Sequence, residues 1–142
     1  MMRVLLDTNV LLDSLLQRAP WHLEADEILR QAQLGVLELS VAALSLANLF
    51  YIGRRIVGTV QARADVRRVA QTFNILAVDR ATILQADALP GADFEDNLQI
   101  ATATNAALTA IVTRDTAGFT ASPILVWSPA ELLIQLANAR AS

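Results

Sequence analysis

The sequence predicts an α/β/α sandwich in which helices cover both faces of a mostly parallel sheet. Two observations carry this expectation. Short apolar runs of strand length (RVLLD, VLELS, FNILAV, LTAIVT, PILVWS) recur through the 142 residues. Longer segments with apolar residues at helical spacing separate them, which is the alternation of a parallel α/β fold. One domain over residues 1–142 is expected, because no linker, charge block, low-complexity tract or internal repeat divides the chain.

The elements follow in order. Residues 3–7 read as a buried strand that stops abruptly at Thr8 and Asn9, and the stretch after them, 10–18, reads as a helix. After Pro20, Leu23, Ile28 and Leu29 recur at helical spacing until Gly35, a residue suited to a helix C-terminus. Residues 36–40 give the second strand. Leu46, Leu49, Phe50 and Ile56 mark a helix over 42–57, ended by Gly58, with another over 60–72. Strand 73–78 precedes helix 79–89, a helix begins near Asp93, and strands are expected at 108–113 and 123–128. The last helix starts at SPAE, with Ser128 as N-cap, Pro129 at its first position and Glu131 at its third.

Composition narrows the chemistry. A hydrophobic fraction of 54% with 18% charged residues describes a packed protein rather than a disordered one. There is no cysteine, which removes disulfides, thiolate metal sites and thiol nucleophiles. All eleven basic residues are arginine, so a P-loop lysine and a Schiff-base lysine are impossible. The net charge of −3 argues against an indiscriminate nucleic-acid coat but leaves room for a local basic patch. Asp7 and Asp13 interrupt the apolar N-terminus, no signal peptide is read, and no window suits a membrane-spanning helix; the expectation is a cytoplasmic protein with no membrane partner.

The acids need explaining. In a parallel α/β sheet ligands collect at the carboxyl ends of the strands, and Asp7 ends the first strand. Asp115 follows AIVTR in the same way, so two strands deliver a carboxylate to one sheet edge. A third cluster, GADFEDNLQIATA, opens a helix and sets Asp93 and Asp96 on one face of its first turn. Read singly, each has an ordinary explanation: Asp93 caps the helix, Glu95 and Asp96 complement its dipole, and Asp7 and Asp115 occupy turns. Read together, Asp7, Asp96 and Asp115 form a group that repels itself unless a divalent cation with oxygen ligands intervenes. They are expected to converge closely enough to share one, with Asp93 beside them. His22, the only imidazole, is assigned no role.

LLDTNVLLD, DFEDNLQIATA and IVTRD resemble the three acidic signatures of the PIN domain, in order and over essentially the whole chain. The sequence is most similar to bacterial PIN proteins that include VapC-type toxins. That resemblance implies a metal-dependent endoribonuclease in which Asp7, Asp96 and Asp115 hold Mg²⁺ or Mn²⁺, Asp93 adds a carboxylate, and Asn9 and Thr113 support them. It also implies a small antitoxin protein as partner and a homodimer. The family usually carries a glutamate on the middle helix, where this chain offers Asn48, an oxygen donor without charge.

The arginines leave two readings open. Arg54, Arg55, Arg63, Arg67 and Arg68 face only Asp65 in their stretch, and either solvate two helices or form a phosphate track for RNA. Arg114, between Thr113 and Asp115, either contacts a phosphate or pairs with an acid. Two further functions compete with the nuclease. One is a PIN-like RNA- or protein-binding module, weak in catalysis because of Asn48. The other is a phosphoryl-transfer domain of the phosphatase or receiver kind, which the missing lysine opposes.

Overall fold

Strand β1 (Met2–Leu6) lies at the centre of a five-stranded sheet ordered β3-β2-β1-β4-β5, with β2 at Leu37–Ala42, β3 at Asn74–Leu76, β4 at Ala110–Val112 and β5 at Leu125–Trp127. The structure is a computed structural model, and it describes residues 1–141. Every strand pair is parallel, so the sheet is fully parallel rather than mostly so. Register brings Val4 opposite both Leu39 and Ala110. Strand order reverses at β1: the chain winds outward through β2 and β3, then returns to the other side for β4 and β5. The gap between the carboxyl ends of β1 and β4 is therefore the topological switch point, where α/β sheets bind ligands.

Period-two alternation divides the core between the two faces. Val4 and Leu6 of β1, with Ala110 and Val112 of β4, join Val10, Leu11, Ile28, Leu49, Val69 and Leu132 on one face. Leu5 and Ile111 point the other way, to Ile100, Ala103, Leu108 and Phe119. A fully buried Leu, Ile or Val contributes about 1.5–3 kcal/mol, and these runs are apolar on both faces because both are covered.

The helices are α1 (Thr8–Leu15), α2 (His22–Gln33), α3 (Ala43–Val57), α4 (Thr59–Thr72), α5 (Arg80–Asp87), α6 (Phe94–Asn105) and α7 (Pro129–Ala141). Four start on side-chain caps: Asp7, Asp79, Asp93 and Ser128 each accept from a backbone N–H of the following turn. Gly58, at φ 85°, is the single residue between α3 and α4, a left-handed position that a side chain would strain. The expected elements all appear. β3, β4 and β5 are shorter than their apolar runs, and α1 begins two residues early because Asp7 caps it directly. Among the described residues no helix is long and apolar enough to cross a membrane.

Candidate functional site

Asp7 is the first residue beyond β1, and its backbone N–H donates to Val112 O at 2.9 Å, which fastens the end of β1 to β4. Its carboxylate is buried and doubly held: Oδ1 accepts from Thr8 N at 2.7 Å, and Oδ2 accepts from the Thr113 hydroxyl at 2.8 Å. The fully buried Thr113 is the hub of this corner. Its Oγ1 donates to Asp7, accepts from Asp115 N at 3.1 Å and is approached by Asn9 Nδ2 at 3.4 Å. One donor and two lone pairs on a single hydroxyl thus tie the chain after β4 to the start of α1.

Helix α6 brings the third acid. Asp93 caps it, accepting from Asp96 N at 3.0 Å, so the ordinary capping explanation holds for Asp93. Deeper in the helix, Gln99 donates to Ser45 Oγ at 3.1 Å, and the Thr8 hydroxyl reaches the same atom at 3.0 Å. This buried network of α1, α3 and α6 lies beneath the acids. Above it the 3-10 turn Thr116–Phe119, which follows Asp115, meets α6 at Gly118. A Cβ there would lie 2.6 Å from Asp96 Oδ2 and 3.1 Å from Asp115 Oδ2. Two carboxylate oxygens from different elements therefore flank one point that only glycine leaves open.

The charges are uncompensated. Asp7, Asp93, Glu95, Asp96 and Asp115 have no ion-pair partner among the described residues. Burial, and then the charges of Asp93, Asp7, Glu95 and Asp115, push the Asp96 carboxyl up to about 7. Burial also holds Asp7 above the usual carboxylate range; hydrogen bonds from Thr113 and Thr8 oppose the rise, and the charges of Asp115 and Asp93 add to it. Glu95 is raised by burial and by Asp7 and Asp93, with a hydrogen bond from Asn48 pulling the other way.

Hard oxygen donors with excess negative charge suit Mg²⁺, Mn²⁺ or Ca²⁺ rather than a thiophilic metal. The Gly118 opening fits this, because any larger residue would force the Asp96 and Asp115 oxygens apart. Among the described residues, however, no three acidic or histidine side chains are gathered tightly enough to hold a metal ion as they stand. The expectation of carboxylates already at sharing distance is corrected to convergence on one sheet end. Asp7 is tied to Thr8 and Thr113, Asp93 is tied to its cap, and like charges resist closer approach.

The other expected residues fall into place unevenly. Asn48 of α3 faces Glu95, so Glu95 puts a carboxylate next to the position where a middle-helix glutamate was expected. Reasoning from sequence assigned Glu95 only to the helix dipole; its neighbour relation to Asn48 crosses two helices and leaves no local signal. Arg114 resolves toward an acid: it pairs with Asp13, not with the converging carboxylates. Arg54 lies over the Tyr51 ring at 5.0 Å, in the last turn of α3. Arg54 and Arg55 are thus roughly 9–10 Å along the helix axis from Asn48. Arg63 and Arg67 line a cleft of about 500 Å³ with Phe50 and Tyr51, and Arg68 pairs with Asp65 at 3.4 Å.

Comparison with known proteins agrees with this fold. Among solved structures, FitAcB from Neisseria gonorrhoeae is 26% identical, with 89% of this chain and 98% of that one covered and a TM-score of 0.65. A toxin-antitoxin complex from Klebsiella pneumoniae is 22% identical over 89% of this chain and 97% of the other, with a TM-score of 0.67. The sarcin–ricin loop cleaving VapC toxin of Mycobacterium tuberculosis is 14% identical over 76% and 86%, with a TM-score of 0.62. No curated protein matches the sequence. The PIN domain family model matches residues 3–117, a span that runs from β1 through Asp7, Asp96 and Asp115 to the turn beyond β4, and the chain belongs to the PIN domain family.

Proposed function

We propose that the protein is a Mg²⁺- or Mn²⁺-dependent endoribonuclease and the toxin of a toxin–antitoxin pair, acting in the cytoplasm as a homodimer of one-domain chains. One observation carries the reading: five carboxylates with no cationic partner among the described residues converge on the switch point of a PIN fold. Family membership supports hydrolysis of nucleic acid, and the toxin-antitoxin complex and cleaving toxin among its structural relatives support the toxin role and an antitoxin partner.

Asp7, Asp96 and Asp115 would hold the ion, with Asp93, Glu95 and the Asn48 carbonyl oxygen around them. A bound divalent ion supplies activation of a water and stabilisation of charge on the phosphodiester. The chain's own residues do the rest. Thr113 and Asn9 keep Asp7 and Asp115 oriented. Burial and then the charges of Asp93, Asp7, Glu95 and Asp115 hold the Asp96 carboxyl up to about 7, so it would give up its proton on becoming a ligand if a divalent ion bound. Arg54 and Arg55, about two turns along α3 from Asn48, would offer the RNA backbone positive charge at a distance from the acids.

Single-stranded RNA incubated with the purified protein and Mn²⁺ is the test. Cleavage that stops with excess EDTA and with Asp96→Asn is the expected result; undiminished cleavage in EDTA contradicts the mechanism. Asn48 alone motivates the alternative of a binding module without catalysis, and Glu95 beside it weakens that motive.

A further inference from the structure

Asp13 is the most buried acid of the chain, at 1% exposure, and lies outside the carboxylate group just described. A lone ionised carboxylate at such depth is costly, and here it is saturated instead. Arg114 grips it bidentately, Nε to Oδ2 at 2.5 Å and Nη2 to Oδ1 at 3.2 Å, and Arg18 Nε adds a bond to Oδ1 at 2.9 Å. The Arg114 guanidinium also lies over the Trp21 ring, 4.1 Å from its centroid, a favourable cation–π distance. Arg18 continues to the Asn9 carbonyl at 3.2 Å, two residues past the Asp7 cap of α1.

These contacts bracket a three-residue segment. Thr113 is anchored inward, to Asp7. Arg114 is anchored outward, to Asp13 on α1 and Trp21 at the start of α2. Asp115 follows directly, and its own carboxylate has no capping bond to hold it. With both preceding residues fixed, the backbone direction at Asp115 is set from two sides.

We propose that Asp13, Arg114 and Trp21 form a clamp that positions Asp115 for the divalent ion, with Arg114 as a positioning residue rather than an RNA contact. The inference rests on the nuclease reading of the acids. It has a distinctive sign. Deleting the positive charge of Arg114 near a cation site favours cation binding by Coulomb's law, whereas loosening Asp115 disfavours it. Loss of an outer partner of a metal ligand typically weakens metal binding about 10- to 100-fold.

Titration calorimetry with Mn²⁺, without RNA, separates the possibilities. Arg114→Ala is expected to weaken Mn²⁺ binding about tenfold, and Arg114→Lys, which keeps the charge but not the two-pronged grip, to recover only part of that loss. Asp13→Asn, which keeps the shape and removes the charge that holds Arg114, is expected to weaken Mn²⁺ binding in the same direction. Mn²⁺ binding by Arg114→Ala equal to or tighter than wild type overturns the clamp. So does weaker binding of a catalytically silent Asp96→Asn, Arg114→Ala protein to single-stranded RNA combined with unchanged Mn²⁺ affinity in Arg114→Ala. A wild-type protein that binds no Mn²⁺ instead overturns the nuclease reading itself.

Discussion

Asp13 and Asp96 lie on opposite sides of the segment that follows β4, and the fold treats them in opposite ways. Asp13 is buried and receives two guanidinium groups. Asp96 is only partly buried and receives none among the described residues; its burial, and then four neighbouring carboxylates, hold its proton until about pH 7. The first arrangement is what a carboxylate needs to be structural. The second raises the energy of the folded chain, and a PIN fold that keeps it has a use for the charge.

Replacement of Asp13 gives the largest test of that contrast. Asp13→Ala leaves two arginines whose side chains are about a quarter to a third exposed and can turn to water, so the loss should fall at the low end for a broken buried pair, about 3 kcal/mol. Urea unfolding at constant slope measures it; a change below a few tenths of a kcal/mol would place Asp13 among ordinary surface acids.

Next in size is Gly118→Ala. The added methyl would lie 2.6 Å from Asp96 Oδ2, too close unless that carboxylate rotates away. Because rotation of one side chain relieves the clash, stability should hold while Mn²⁺ affinity falls about tenfold. Unchanged affinity would mean that the approach of Asp96 to Asp115 plays no part in metal binding.

A smaller effect, of opposite sign to Asp13, is expected at Asp96. Its folded pKa of about 7 lies above the ordinary 3.8, so the folded state binds the proton more tightly. The associated stability is fully present below about pH 4 and is lost as pH rises through 7. Asp96→Asn cannot ionise and should therefore be more stable than wild type at pH 8 by about 1 kcal/mol, discounted for its solvent exposure, with the advantage fading by pH 4. Equal stability across this range would show that the acids do not strain the fold.

Much of this contrast was legible in the sequence, and the missing part has a physical cause. The alternation of strand-length and helical segments gave the layers, and acids placed after β1 and β4 and at the start of α6 gave the converging trio. These signals are local: a period, a strand end, a cap. Asp13, Glu95 and Gly118 were missed as site neighbours because each acts across elements. Asp13 sits within the apolar run VLLDSLL, and a charge embedded there was a sign that a partner would be supplied from elsewhere. Arg114 was narrowed to a phosphate or an acid, and only tertiary structure selects Asp13, 101 residues away.

Asn48 gives the smallest and most discriminating test. The sequence marks it as a missing negative charge, so that Asn48→Glu should tighten metal binding. The structure shows Asn48 already paired with Glu95, whose carboxylate its side chain helps to keep ionised. Substituting glutamate replaces that hydrogen bond with a like charge, which should cost about 0.5 kcal/mol of stability at neutral pH at this half-buried position beside the exposed Glu95. Adding a cation reverses the balance, since two facing carboxylates then share one positive charge. Asn48→Glu should therefore be less stable than wild type without metal and gain more from saturating Mn²⁺, so that thermal unfolding with and without Mn²⁺ compares the two proteins in both states. An equal Mn²⁺ shift in both would leave Glu95 as the only charge this corner needs, and would make Asn48 its hydrogen-bond partner and nothing more.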